Sequence, residues 1–91
     1  MKDMETQNKT VYVLIGLLGG IVDHHEVFLD GSLALKKLDE LKDGYNIKSV
    51  DTNEENYHTY AHDGEGKYPY IENELFILPS QLNEETAPDG C

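Results

Sequence analysis

Ninety-one residues make one domain at most, and eighteen acidic residues against seven lysines and no arginine leave a net charge of −11. That balance excludes nucleic acid as a direct ligand, because binding phosphates takes cationic side chains that release counterions, and arginine supplies the bidentate contacts. A single thiol, Cys91, excludes an internal disulfide framework.

The charge is uneven. Residues 1–50 hold eight acids and six lysines, about −2, whereas residues 51–91 hold ten acids and only Lys67, about −9. The second half is the anionic one. There is no Trp and there are two Phe. A folded unit of about 70 residues buries only about 60% of its unfolded surface, so a partner or a second copy has burial to offer.

Residues 1–8 are polar, without period, and read as a disordered N-terminus. Thr10 to Leu18 is aliphatic and β-branched without strict alternation, which suits a central strand. Gly19-Gly20 supplies the positive φ of a two-residue hairpin turn. The second strand, Ile21 to Leu29, then returns with apolar ends around a polar DHHE middle. With that turn Leu18 faces Ile21, Gly16 faces Asp23 and Tyr12 faces Val27. Gly16 in mid-strand marks a bulge, which would shift the register by one, or a place where another backbone comes close. The apolar run before DHHE resembles a signal-peptide core in length. It lacks a positive flank and a small-residue cleavage site, and it is too short for a bilayer. The expectation is a soluble cytoplasmic protein without membrane attachment.

Asp30-Gly31-Ser32 leads into a helix over residues 32–43, with Ser32 as its N-cap and Gly44 as its C-cap. Leu33, Ala34, Leu35, Leu38 and Leu41 form its apolar side, expected to pack across the hairpin. A short strand over Tyr45 to Val50, a solvated DTNEEN loop and an extended Tyr57 to Ala61 follow. In that last stretch Tyr57, Thr59 and Ala61 share one face, and His58, Tyr60 and His62 the other. Asp63 to Gly66 turns, Pro69 places Tyr68-Tyr70 at an edge, and Ile71 to Leu78 closes the fold with Leu75 to Leu78 buried. Residues 80–91 read as a disordered acidic tail. The predicted fold is therefore one α+β domain over residues 9–79: ββα followed by two or three strands, one antiparallel sheet with the helix on one face.

Three functional readings follow. The first is a small acidic, non-enzymatic interaction protein that binds a basic surface of a nucleic-acid-handling protein. It would act as an inhibitor, modulator or nucleic-acid mimic, a profile that phage or mobile-element anti-defence proteins share. Its binding face would draw on Glu54, Glu55, Tyr57, Tyr60, Glu65, Tyr68, Tyr70, Glu72 and Glu74, tyrosine anchors inside a charged rim, and a homodimer is compatible with it. The second is a metal- or small-ligand-binding domain. Imidazole and carboxylate from His24, His25, His58, His62 and Asp63 suit a transition metal if the strands bring them together. On a plain strand, however, Asp23 and His25 share one face, and His24 and Glu26 the other. The third is a small carboxylate-dependent enzyme, for which no nucleophile motif or phosphate loop is present. No cofactor is expected.

Overall fold

A computed structural model describes residues 8–83. The chain folds as a small α+β domain: β1 (Asn8–Leu18), β2 (Ile21–Phe28), α1 (Gly31–Tyr45), β3 (Ser49–Thr52), β4 (Thr59–His62) and β5 (Asn73–Asn83). The strands make one antiparallel sheet in the order β2-β1-β5-β4-β3. The two 11-residue strands, β1 and β5, pair along their whole length at its centre.

The hairpin turns at Gly19-Gly20, both with positive φ (61° and 83°), and Leu18 pairs with Ile21 as the turn dictates. Beyond the turn the register moves by one. Leu17 pairs with Val22 but Gly16 pairs with His24, so Asp23 is the extra residue of a bulge and Tyr12 meets Phe28 rather than Val27. The reason lies on the helix. The ring of Tyr45, its last residue, lies across Gly16, where a Cβ would come within 2.7 Å of Tyr45 Cζ. The Tyr45 hydroxyl donates to Asp23 Oδ2 at 2.7 Å. Glycine gives the ring room and the bulge brings the carboxylate to its hydroxyl. Asp23 therefore sits on the helix side with His24 and Glu26, not with His25. Burial, then the bond to Asp23, pushes the Tyr45 hydroxyl above the ordinary tyrosine range.

The helix is longer than its leucine spacing predicts. Asp30, not Ser32, is the N-cap: its Oδ1 accepts from the Ser32 N–H at 2.8 Å and from the Ser32 hydroxyl at 2.7 Å. The helix passes through Gly44 and ends at Asn46, whose left-handed φ of 57° closes the C-terminus with its N–H on the last turn's carbonyls. Tyr45 thus belongs to the helix, and β3 starts only at Ser49. Ala34 and Leu38 are buried, Leu35 and Leu41 pack at the margin, and Leu33 stays 53% exposed.

The helix covers the sheet face carrying Tyr12, Leu14, Leu75, Ile77, Thr59 and Ala61, with Phe28 and Ile47 at its margin. Alternation along β5 sends Phe76 and Leu78 to the other face, so the expected run of four buried residues is split between faces. β5 also continues through Pro79 to Asn83, paired with β1, instead of ending at Pro79. Its pairing with β4 stops at Thr59↔Ile77, so Pro79 lies where one side of β5 has no strand to receive an N–H. The rest of the expected tails, residues 1–7 and 84–91, lies outside the described residues.

Candidate functional site

The β4–β5 connection, residues 63–72, is the most distinctive surface feature. It sits at the hairpin end of the sheet and is fixed at its base. Asp63 Oδ1 accepts from the Glu72 N–H at 2.9 Å, and the Asp63 N–H donates to the Asn73 carbonyl at 3.2 Å. The Gly19 N–H reaches both the Glu72 carbonyl (3.0 Å) and Asn73 Oδ1 (3.1 Å), which ties the connection to the hairpin turn. The bond from Glu72 holds the Asp63 carboxyl below the usual carboxylate range.

Within this frame the chain folds back on itself. Gly64 is buried against Pro69, and a Cβ there would come within 2.5 Å of Pro69 Cβ and 3.0 Å of Ile71 Cγ1. Docking Pro69 on Gly64 leaves its two neighbours pointing out: Tyr68 is 86% exposed and Tyr70 80%. The Lys67 ammonium sits 5.6 Å from the centroid of the Tyr68 ring. Around the two tyrosines stand Glu65 and Glu72, both exposed, and the half-buried Asp63 and Glu74. An open groove of about 620 Å³ separates the connection from Lys48 and Ser49. Its lining is mixed in sign, with Lys48 Nζ 4.0 Å from Glu65 Oε2.

Tyr60 and Glu74 lie nearby on the sheet face away from the helix. The Tyr60 hydroxyl donates to Glu74 Oε2 at 2.6 Å, and its ring packs tilted against Phe76 (5.1 Å) and His62 (5.3 Å). Desolvation, then the bond to Glu74, pushes that hydroxyl up to about 12.

The remaining sequence candidates lie elsewhere. Glu54 and Glu55 are exposed on the β3–β4 loop, which Asn53 and Asn56 fold tightly, at the opposite end of β4. Tyr57 is taken up in packing. Its ring fills the space that a Cβ on Gly31 would need and meets Tyr12 edge-on at 5.6 Å, with its backbone left-handed at φ 65°.

The histidines do not gather. His24 bonds Glu26 at 3.0 Å on the helix side, and His58 is exposed on the β3–β4 loop. The His62 Nδ1 accepts from the Gly64 N–H at 3.0 Å. His25 shares the open face with His62 but from β2, three strands away, or about 14 Å at ~4.8 Å per strand. Among the described residues no three His, Cys, Asp or Glu side chains group as metal ligands do. The shifted carboxylates, Asp30 and Asp63, are both lowered by hydrogen bonds, the reverse of what a general acid needs. Among the described residues no helix is long and apolar enough to cross a membrane. Sequence reasoning named Tyr68 and Tyr70 but missed Asp63 as the anchor of their loop. The signal was present in the DG pair closing a strand, a frequent Asx-turn position.

Fold and surface together define an α+β domain with one helix-covered and one open sheet face. Comparison with family models, curated proteins and solved structures finds no match.

Proposed function

We propose that the domain is a non-enzymatic binding protein whose 63–72 connection docks on a basic surface of another protein. The observation that carries this reading is the exposure of Tyr68 and Tyr70 on a loop whose base is fixed by Asp63, Gly19 and the Gly64–Pro69 contact. Tyrosine brings large contact area at low entropic cost, and a fixed loop has less ordering left to lose on binding. Asp63, Glu65, Glu72 and Glu74 outnumber Lys48 and Lys67 around it, so the complementary surface is positive. Proteins that handle nucleic acid carry such surfaces to hold phosphates, which makes them the first class to test. Occupying that surface would inhibit or modulate them.

The test is retention of host proteins on the immobilised full chain, with nuclease present, followed by a salt gradient. One basic protein should bind the wild type, leave at moderate salt because exposed attractions are screened within about 8–10 Å, and fail to bind a Tyr68→Ala/Tyr70→Ala variant. Identical retention profiles for the two chains would sink the reading.

A further inference from the structure

The sheet face away from the helix carries more apolar surface than the fold itself uses. Register places Val11, Val13, Ile15 and Leu17 of β1 on it, with Phe76, Leu78 and Leu82 of β5, and Val22 and Val27 of β2. Val11 is buried, and Val13, Ile15, Leu17, Phe76 and Leu78 are half-buried. Val22, Val27 and Leu82 remain 58%, 60% and 47% exposed. Contiguous apolar surface of this extent marks an interaction face.

We infer that this face is occupied by a second copy of the chain, two sheets packing face to face as a two-fold β-sandwich. Charge is the first argument. The open-face positions of β1 and β2 contain no carboxylate, since the bulge carries Asp23 to the helix side. The acids of this face are Asp51 on β3 and Glu74 at the start of β5, opposite Leu17 and bonded by the Tyr60 hydroxyl. Two chains that repel through a net charge of −11 can therefore meet over β2, β1 and the part of β5 beyond Glu74, where the described residues of this face carry no carboxylate. A basic partner would find little here to pair with.

Size is the second argument. The three contact strands at ~4.8 Å and about nine residues at ~3.3 Å span roughly 14 by 30 Å, or ~430 Å² in projection. Side-chain relief raises the accessible area above that, toward the lower end of the ~600–1,000 Å² that each partner gives to a stable interface. The edges fit the alternative of strand-to-strand pairing less well. β2 is interrupted by its bulge and polar middle, and β3 is four residues long.

Sedimentation velocity on the full chain across a concentration series tests this, beside a Val27→Glu/Leu82→Glu variant whose helix signal is checked by circular dichroism. Both positions are open enough for the single chain to tolerate the change. The wild type should sediment as a dimer, and the variant, equally folded, should weaken association by roughly 100-fold, since each copy would bring carboxylates into an apolar contact. A wild type that stays monomeric at millimolar concentration overturns the inference, whether a terminal segment or another protein takes the face. So does a variant that dimerises as well as the wild type. Tyr68 and Tyr70 lie off this face, so the partner-binding reading stands or falls separately.

Discussion

The two faces of the sheet are built from alternate residues of the same strands and meet opposite fates. Leu14 points to the helix and is fully buried, while Ile15, its neighbour, points to the open side and is half-buried. On the covered face, space is closed by large-against-nothing contacts: Tyr45 over Gly16 and Tyr57 over Gly31. On the open face the residues are as apolar, yet among the described residues no helix meets them. One helix is enough to stabilise a sheet of this size on one side. The apolar character of the other side is what the proposed pairing of two copies would use.

That contrast is broken most directly by paired truncations. Leu14→Ala should cost about 4 kcal/mol in urea unfolding, within the range for deleting a fully buried leucine. Its effect should be the same at every protein concentration. Ile15→Ala should cost about 1 kcal/mol in the dilute chain, because a half-buried side chain loses less contact. Its cost should grow with concentration if the open face is an interface. Equal, concentration-independent losses would erase the distinction between the faces.

Next comes Gly16→Ala, which pushes a methyl into the Tyr45 ring. Overpacking of this kind costs about 2–3 kcal/mol, and a Gly16→Ala/Tyr45→Ala double variant should recover part of it. Tyr45→Phe is milder, removing the hydrogen bond to Asp23 for about 1 kcal/mol at neutral pH. The Tyr45 hydroxyl is raised above its unfolded value, so its contribution is complete below about pH 10 and is lost as pH climbs through the folded value. The phenylalanine variant should therefore show a shallower alkaline loss of stability than the wild type.

Much of this architecture is legible in the chain itself. The hairpin at Gly19-Gly20, the helix with its leucines and the α+β class follow from local period and turn chemistry. The misplaced features were decided by tertiary contacts. Ser32 and Gly44 are sound caps in isolation, but Asp30 takes both the N–H and the hydroxyl of Ser32, and the C-terminus runs on to Asn46, which lays Tyr45 on Gly16. The register slipped for the same reason. Pro79 reads as a stop unless the unequal lengths of β4 and β5 are known, and no local pattern reveals them. At the surface, tyrosines among acids could be named from sequence. Only the fold separates Tyr68 and Tyr70, which stand out in solvent, from Tyr57, which is packed against Gly31.

The smallest effect distinguishes the two acids among the described residues whose carboxyls are held below the ordinary range, one at each end of the sheet. Asp30 accepts from the Ser32 hydroxyl and N–H at the helix start, and Asp63 accepts from the Glu72 N–H beneath the tyrosine loop. For both, the folded value lies below the unfolded one. Each therefore stabilises the fold above about pH 4 and loses that contribution as pH falls through the folded value. Asn at either position keeps an acceptor and removes the titration. Asp30→Asn should flatten part of the acid unfolding limb and leave partner binding alone, because the helix start is remote from residues 63–72. Asp63→Asn should flatten the limb too, and should also make retention of the partner less sensitive to acid, since Asp63 fixes the base of the loop that presents Tyr68 and Tyr70. If both variants change binding equally, the loop is not held by Asp63 in the way its bonds to Glu72 and Asn73 require.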